Sequence, residues 1–155
     1  MHRTHPAPKR WITTTFALLV LALSLPGYAK VLHEERSVYT RIIVEDERNL
    51  RCLKFTLVRA NSRQTCMDRN DPQRLVFDYA KMTLSALLLK PDPDRILIIG
   101  LGGVTLPNVL RDILPSAVIY TVEIDEAVVR VAKQFFGFVA DEQNQVYLQH
   151  ARVFG

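Results

Sequence analysis

The chain has 155 residues, enough for one ordinary domain and too few for two. Apolar residues make up 48% and charged residues 23%, with 6 Gly, 8 Pro and 2 Cys, which excludes a disordered, collagen-like or disulfide-dense chain. The net charge of +4 comes largely from Arg3, Lys9 and Arg10 in an acid-free N-terminus; beyond residue 29, 17 Lys and Arg (20 less these three) face 16 Asp and Glu, a balance that gives no reason to expect a nucleic-acid partner.

Residues 1–29 read as a signal peptide. His2 to Arg10 is basic, Trp11 to Ala29 is uncharged, and Phe16 to Leu25 is its most apolar part. Pro26-Gly27 stops a helix, and Gly27 and Ala29 are the small residues at −3 and −1 of a cleavage point before Lys30. The alternative is an uncleaved membrane anchor, because the uncharged run is close to the ~20 residues that a span needs. The expected location is periplasmic or secreted, with membrane attachment only through an uncleaved leader. Export implies an oxidising compartment in which a disulfide persists.

Residues 30–70 read as a small N-terminal β domain. Val38 to Val44 is rich in β formers, Glu45 to Asn49 is a polar turn, and Leu50 to Val58 is a second strand. Ala60 to Ser62 reads as a turn, with a short strand near Gln64-Thr65-Cys66. Cys52 and Cys66 are symmetric about Arg59, so a hairpin turning there sets them opposite each other as disulfide candidates. Two free buried thiols are the other reading.

Residues 71–155 read as a partial nucleotide-binding domain. Asp71-Pro72 has the chemistry of a helix start, and Leu75, Val76, Tyr79, Met82, Ala86 and Leu87 follow a helical stripe that stops at Lys90-Pro91. Arg95 to Ile99 is a short apolar run, as in a parallel strand buried on both faces. A glycine turn follows, then a helix from about Leu106 to Leu114. Ala117 to Glu123 is a second strand, Asp125 caps a helix through about Phe136, and Val146 to Gln149 is a third strand. Strand, glycine turn, helix, strand, helix and strand make half of a doubly wound α/β domain. No further strand covers the second edge of Ile96 to Ile99, so a fragment, a partner that completes the sheet, or a marginal sheet is expected.

Gly100-Leu101-Gly102-Gly103 lies between a strand and a helix, the context in which such a turn binds nucleotides. Glu123 ends the next strand 23 residues after Gly100, near the offset at which an acid meets ribose hydroxyls. A carboxylate there can accept two hydrogen bonds from a vicinal diol. The plainer reading is a turn that only packs helix on sheet, with a solvated strand-end acid. Thr105 stands where the dinucleotide fingerprint has its third glycine, which favours a nucleoside without phosphates.

These residues carry a resemblance. Arg95 to Pro107, Val122-Glu-Ile-Asp-Glu-Ala-Val-Val129 and Gln149-His-Ala-Arg152, with Gln64 to Met67 and Asp78-Tyr79, resemble the spermidine/spermine synthase family over roughly residues 35–152. These are polyamine aminopropyltransferases on the class I methyltransferase fold. The resemblance implies an α/β fold with a partial Rossmann-type parallel sheet preceded by a small β domain. It implies no tightly bound cofactor, and decarboxylated S-adenosylmethionine or S-adenosylmethionine as co-substrate. Gly100, Gly102, Gly103, Glu123 and Asp125 would hold that donor, and Gln64 and Tyr79 would line the junction with a polyamine acceptor. A homodimer through the β domain is implied too.

The chain departs from the family pattern. No Asp stands inside its glycine turn, His150 replaces the Asp before Ala-Arg, and Ala80-Lys81 replaces a polar residue and Glu. The loop after a fourth strand, which carries the family's catalytic Asp, is absent from this chain, so no catalytic residue is assigned and a truncated, inactive member is expected. The competing readings are an S-adenosylmethionine-dependent methyltransferase and a non-catalytic exported module that binds a nucleoside or polyamine. His150 and His33 read as surface residues, and no spacing suggests a metal site.

Overall fold

A computed structural model describes residues 29–57 and 60–154. The expected signal peptide lies outside the described residues except for Ala29, and so does Arg59.

Four strands form an antiparallel sheet in the order β1-β2-β3-β4: β1 (Lys30–Arg36), β2 (Arg41–Glu47), β3 (Leu50–Leu57) and β4 (Ala60–Asp68). Alternation drives it: Ile42 and Val44 of β2 are fully buried on one face with Leu53 of β3. Several sequence expectations are corrected here. β1 is a strand beyond those expected from the sequence, which begin at Val38. Val38 and Tyr39 lie in the turn after it, where the Ser37 hydroxyl accepts from the N–H groups of Tyr39 and Thr40 at 3.1 and 3.0 Å. Glu45 to Glu47 belongs to β2, leaving Arg48-Asn49 as a two-residue turn with Arg48 left-handed at φ 57°. Cross-strand cations keep these acids in the strand. Asp46 sits opposite Arg51, and Glu45 forms a buried ion pair with Lys54. Ala60 to Ser62 is the start of β4 rather than a turn.

The Asp71-Pro72 helix start is also corrected. Helix α1 (Asp78–Thr83) begins seven residues later and tightens into a 3₁₀ segment at Leu84–Leu88. The Asp68 carboxylate accepts from the Asn70 N–H and from Arg74, each at 3.0 Å, and Leu75 makes a bridge with Met67. These bonds tie residues 70–75 to the end of β4 and outweigh the local helix signal.

The second sheet is parallel, in the order β5-β6-β7: β5 (Arg95–Ile99), β6 (Val118–Glu123) and β7 (Asn144–Leu148). Helices α2 (Thr105–Ile113) and α3 (Glu126–Phe135) make the crossovers. Asp125 caps α3 by accepting from the Ala127 N–H at 3.0 Å. Burial on both faces of β5 is not found: Leu97 and Ile99 are 54% and 70% exposed, and β5 is an edge strand among the described residues.

One core joins the two sheets. Ile42, Val44 and Leu53 pack with Val128, Val131, Ala132 and Phe136 around α3, and with Leu101 and Val104 from the glycine turn. Arg51 of β3 reinforces this contact. It holds both Asp46 oxygens at 2.9 and 3.1 Å and donates to the Phe135 carbonyl at 3.1 Å, capping the C-terminus of α3.

Candidate nucleoside site

The glycine loop begins where β5 ends. Gly100 and Gly102 have φ of 91° and 54°, and no atom lies within 4 Å of a Cβ built on either. Both conditions suit glycine: a left-handed backbone, and open space for a ligand to approach it. Val104 also has a positive φ, 57°, although it is β-branched. Such a residue costs about 1–3 kcal/mol of strain. Its side chain is buried in the shared core with that of Leu101, and burying two such groups contributes about 3–6 kcal/mol. Packing therefore outweighs strain and fixes the loop from inside.

Glu123 fixes it from the next strand. Its Oε2 accepts from the Leu101 N–H at 2.9 Å, and its Oε1 accepts from the N–H groups of Ile124 and Asp125 at 2.8 and 3.0 Å. A carboxylate has about four acceptor positions. Three are taken by backbone amides, which leaves one on Oε2.

Loop and acid share a cavity of about 810 Å³. Gly100, Gly102, Gly103 and Glu123 line it, together with Gln64, Thr65 and Cys66 of β4, Tyr79 of α1 and the length of β5. Gln64 and Tyr79 are brought together: the Tyr79 hydroxyl donates to the Gln64 carbonyl at 3.2 Å. Partial burial pushes the Tyr79 phenol above its ordinary value, so it keeps its proton at neutral pH. Asp125 is not in the cavity wall; its carboxylate serves the start of α3. His150 caps the short 3₁₀ segment Ala151–Val153, its Nδ1 accepting from the Arg152 N–H at 3.2 Å. His33 is half-buried, its ring 5.2 Å from that of Phe135. Among the described residues no three His, Cys, Asp or Glu side chains converge on a metal position.

Cys52 and Cys66 are cross-strand partners joined by a disulfide, and both are buried. Cys66 reaches the cavity wall, so the bridge lies directly behind the site.

Sequence reasoning missed Thr65 and Val104. Thr65 lies between two singled-out residues, Gln64 and Cys66, and lines the cavity with both. Its place between them was the available signal. The left-handed backbone at Val104 has no signal in a valine.

No family model matches the chain. A polyamine aminopropyltransferase from Vibrio vulnificus (strain CMCP6) is 40% identical over 147 residues, covering 92% of this chain and 49% of that protein. The chain therefore spans about half the length of that relative. A probable spermidine synthase from Corynebacterium glutamicum ATCC 13032 superposes with a TM-score of 0.63 at 17% identity, covering 77% of this chain and 45% of its own, a likeness of fold. A spermidine synthase in complex with the transition state analogue AdoDATO gives a TM-score of 0.55 at 25% identity, covering 77% and 40%. The chain is homologous to spermidine synthases, and its α/β architecture is theirs.

Proposed function

We propose that this chain forms the donor-nucleoside side of a spermidine synthase-like aminopropyltransferase site. The observation that carries the reading is the 2.9 Å hydrogen bond from the Leu101 N–H to Glu123 Oε2. It draws the glycine loop and the strand-end acid to one cavity wall, with room for an adenosine-sized ligand. The AdoDATO complex of the similar synthase supports an adenosyl ligand.

In this reading the remaining acceptor position of Glu123 takes one ribose hydroxyl. Gly100 and Gly102 let the sulfonium side of decarboxylated S-adenosylmethionine approach the backbone. Gln64 and Tyr79 mark the boundary with a polyamine acceptor. In the reaction, an amine nitrogen bonds to the carbon next to the sulfonium and the carbon–sulfur bond breaks. The electron pair returns to sulfur, giving a neutral thioether nucleoside, and the alkylated amine releases one proton to solvent. The described residues contribute by holding the donor in place.

Isothermal titration with methylthioadenosine tests the site. Saturable binding is expected; no heat from protein that is folded by circular dichroism overturns the reading. Tighter binding of S-adenosylmethionine than of its decarboxylated form would move the chain to the methyltransferases.

A further inference from the structure

We propose that Thr65 is a positioning residue for the glycine loop, acting through Gly103; the proposal rests on the nucleoside reading and names what holds its loop from outside. Gly103 differs from the other two glycines of the turn. It is not among the residues with positive φ, so its backbone does not call for glycine. Space does: a Cβ there would overlap the Thr65 methyl, with Oγ1 at 3.0 Å and Cβ at 3.1 Å also closer than ordinary contact. Thr65 is buried, and its methyl seats directly on the Gly103 backbone.

Thr65 is itself held. Its neighbour Cys66 is bonded to Cys52, and its cross-strand partner Leu53 is fully buried in the shared core. The disulfide-linked strand β4 therefore sets one methyl group against the loop at Gly103, while Glu123 holds the loop at Leu101. Gly103 is small to accept that methyl, and the loop's shape depends on a residue of the other sheet.

Compensating substitutions test this. Gly103→Ala should weaken methylthioadenosine binding on the order of tenfold or more, and Thr65→Ala combined with it should restore most of the loss, because residues in contact couple strongly. Thr65→Ser, which removes the methyl alone, should restore less. Hydrogen exchange of the Leu101 and Val104 amides supplies a readout that needs no ligand: Thr65→Ala alone should speed it roughly tenfold while leaving the α3 amides unchanged. Parent-like binding by Gly103→Ala, or no rescue in the double variant, overturns the proposal. If the parent protein binds no methylthioadenosine, the nucleoside reading fails, and unchanged exchange at Leu101 and Val104 would then separately overturn the role of Thr65.

Discussion

At the scale of single residues, Glu123 is the group on which most depends. Its carboxylate serves three backbone amides from two segments. Glu123→Gln keeps the size but turns an NH₂ toward one of those amides, which should cost about 2 kcal/mol of stability. Urea unfolding measures it; an unchanged midpoint would mean that the acid does not hold the loop. Asp46 gives a pH prediction. The hydrogen bond from Arg51 holds its carboxyl below the usual carboxylate range. A depressed folded value contributes stability that is complete above the unfolded value of about 4 and is lost as pH falls through the folded one. The melting temperature should therefore fall below about pH 4, and Asp46→Asn should flatten that fall. The position of Glu123 was legible in the sequence because a strand end and a glycine turn fix its place. The spending of its lone pairs on the backbone was not, since that depends on how the loop curls back.

At the scale of elements, the order of strands and helices in the parallel half was readable, with bounds shifted by at most two residues. Apolar runs, a glycine turn and an Asp cap are local signals that place the strands and helices, although the run of β5 does not bring burial on both faces. The antiparallel half was not, because its strands carry charges. Glu45, Asp46 and Glu47 look like a turn until Lys54, Arg51 and Arg63 are seen across the strands. Asp71-Pro72 failed for the opposite reason: a good local start was overruled by bonds from Asp68. The hairpin of β3 and β4 carries its own prediction. A bridge closing a loop with a separation of 14 residues stabilises by about 3 kcal/mol in the chain-entropy account. The Cys52→Ser, Cys66→Ser double variant should show a loss of that order in denaturant unfolding. The same variant should bind methylthioadenosine more weakly, because the bridge anchors the strand that presses on the loop. A loss of stability with unchanged affinity would separate the hairpin from the site.

At the scale of the whole molecule, the shared core decides behaviour. Ile42, Val44 and Leu53 of the antiparallel sheet share one buried cluster with α3, Phe136, Phe138 and the glycine turn. Unfolding should therefore be a single cooperative transition. Hydrogen exchange at Val44 of β2 and Val122 of β6 should report the same opening free energy; two distinct values would show that the sheets melt independently. The sequence suggests a boundary near residue 70, since strand and helix periodicities change there, but periodicity cannot reveal which side chains meet across it. Dissection would run into that difficulty. A recombinant piece starting at Asp71 would leave Val128, Val131 and Ala132 bare to water, and should collect in inclusion bodies unless residues 30–70 were co-produced as a separate polypeptide to cover them.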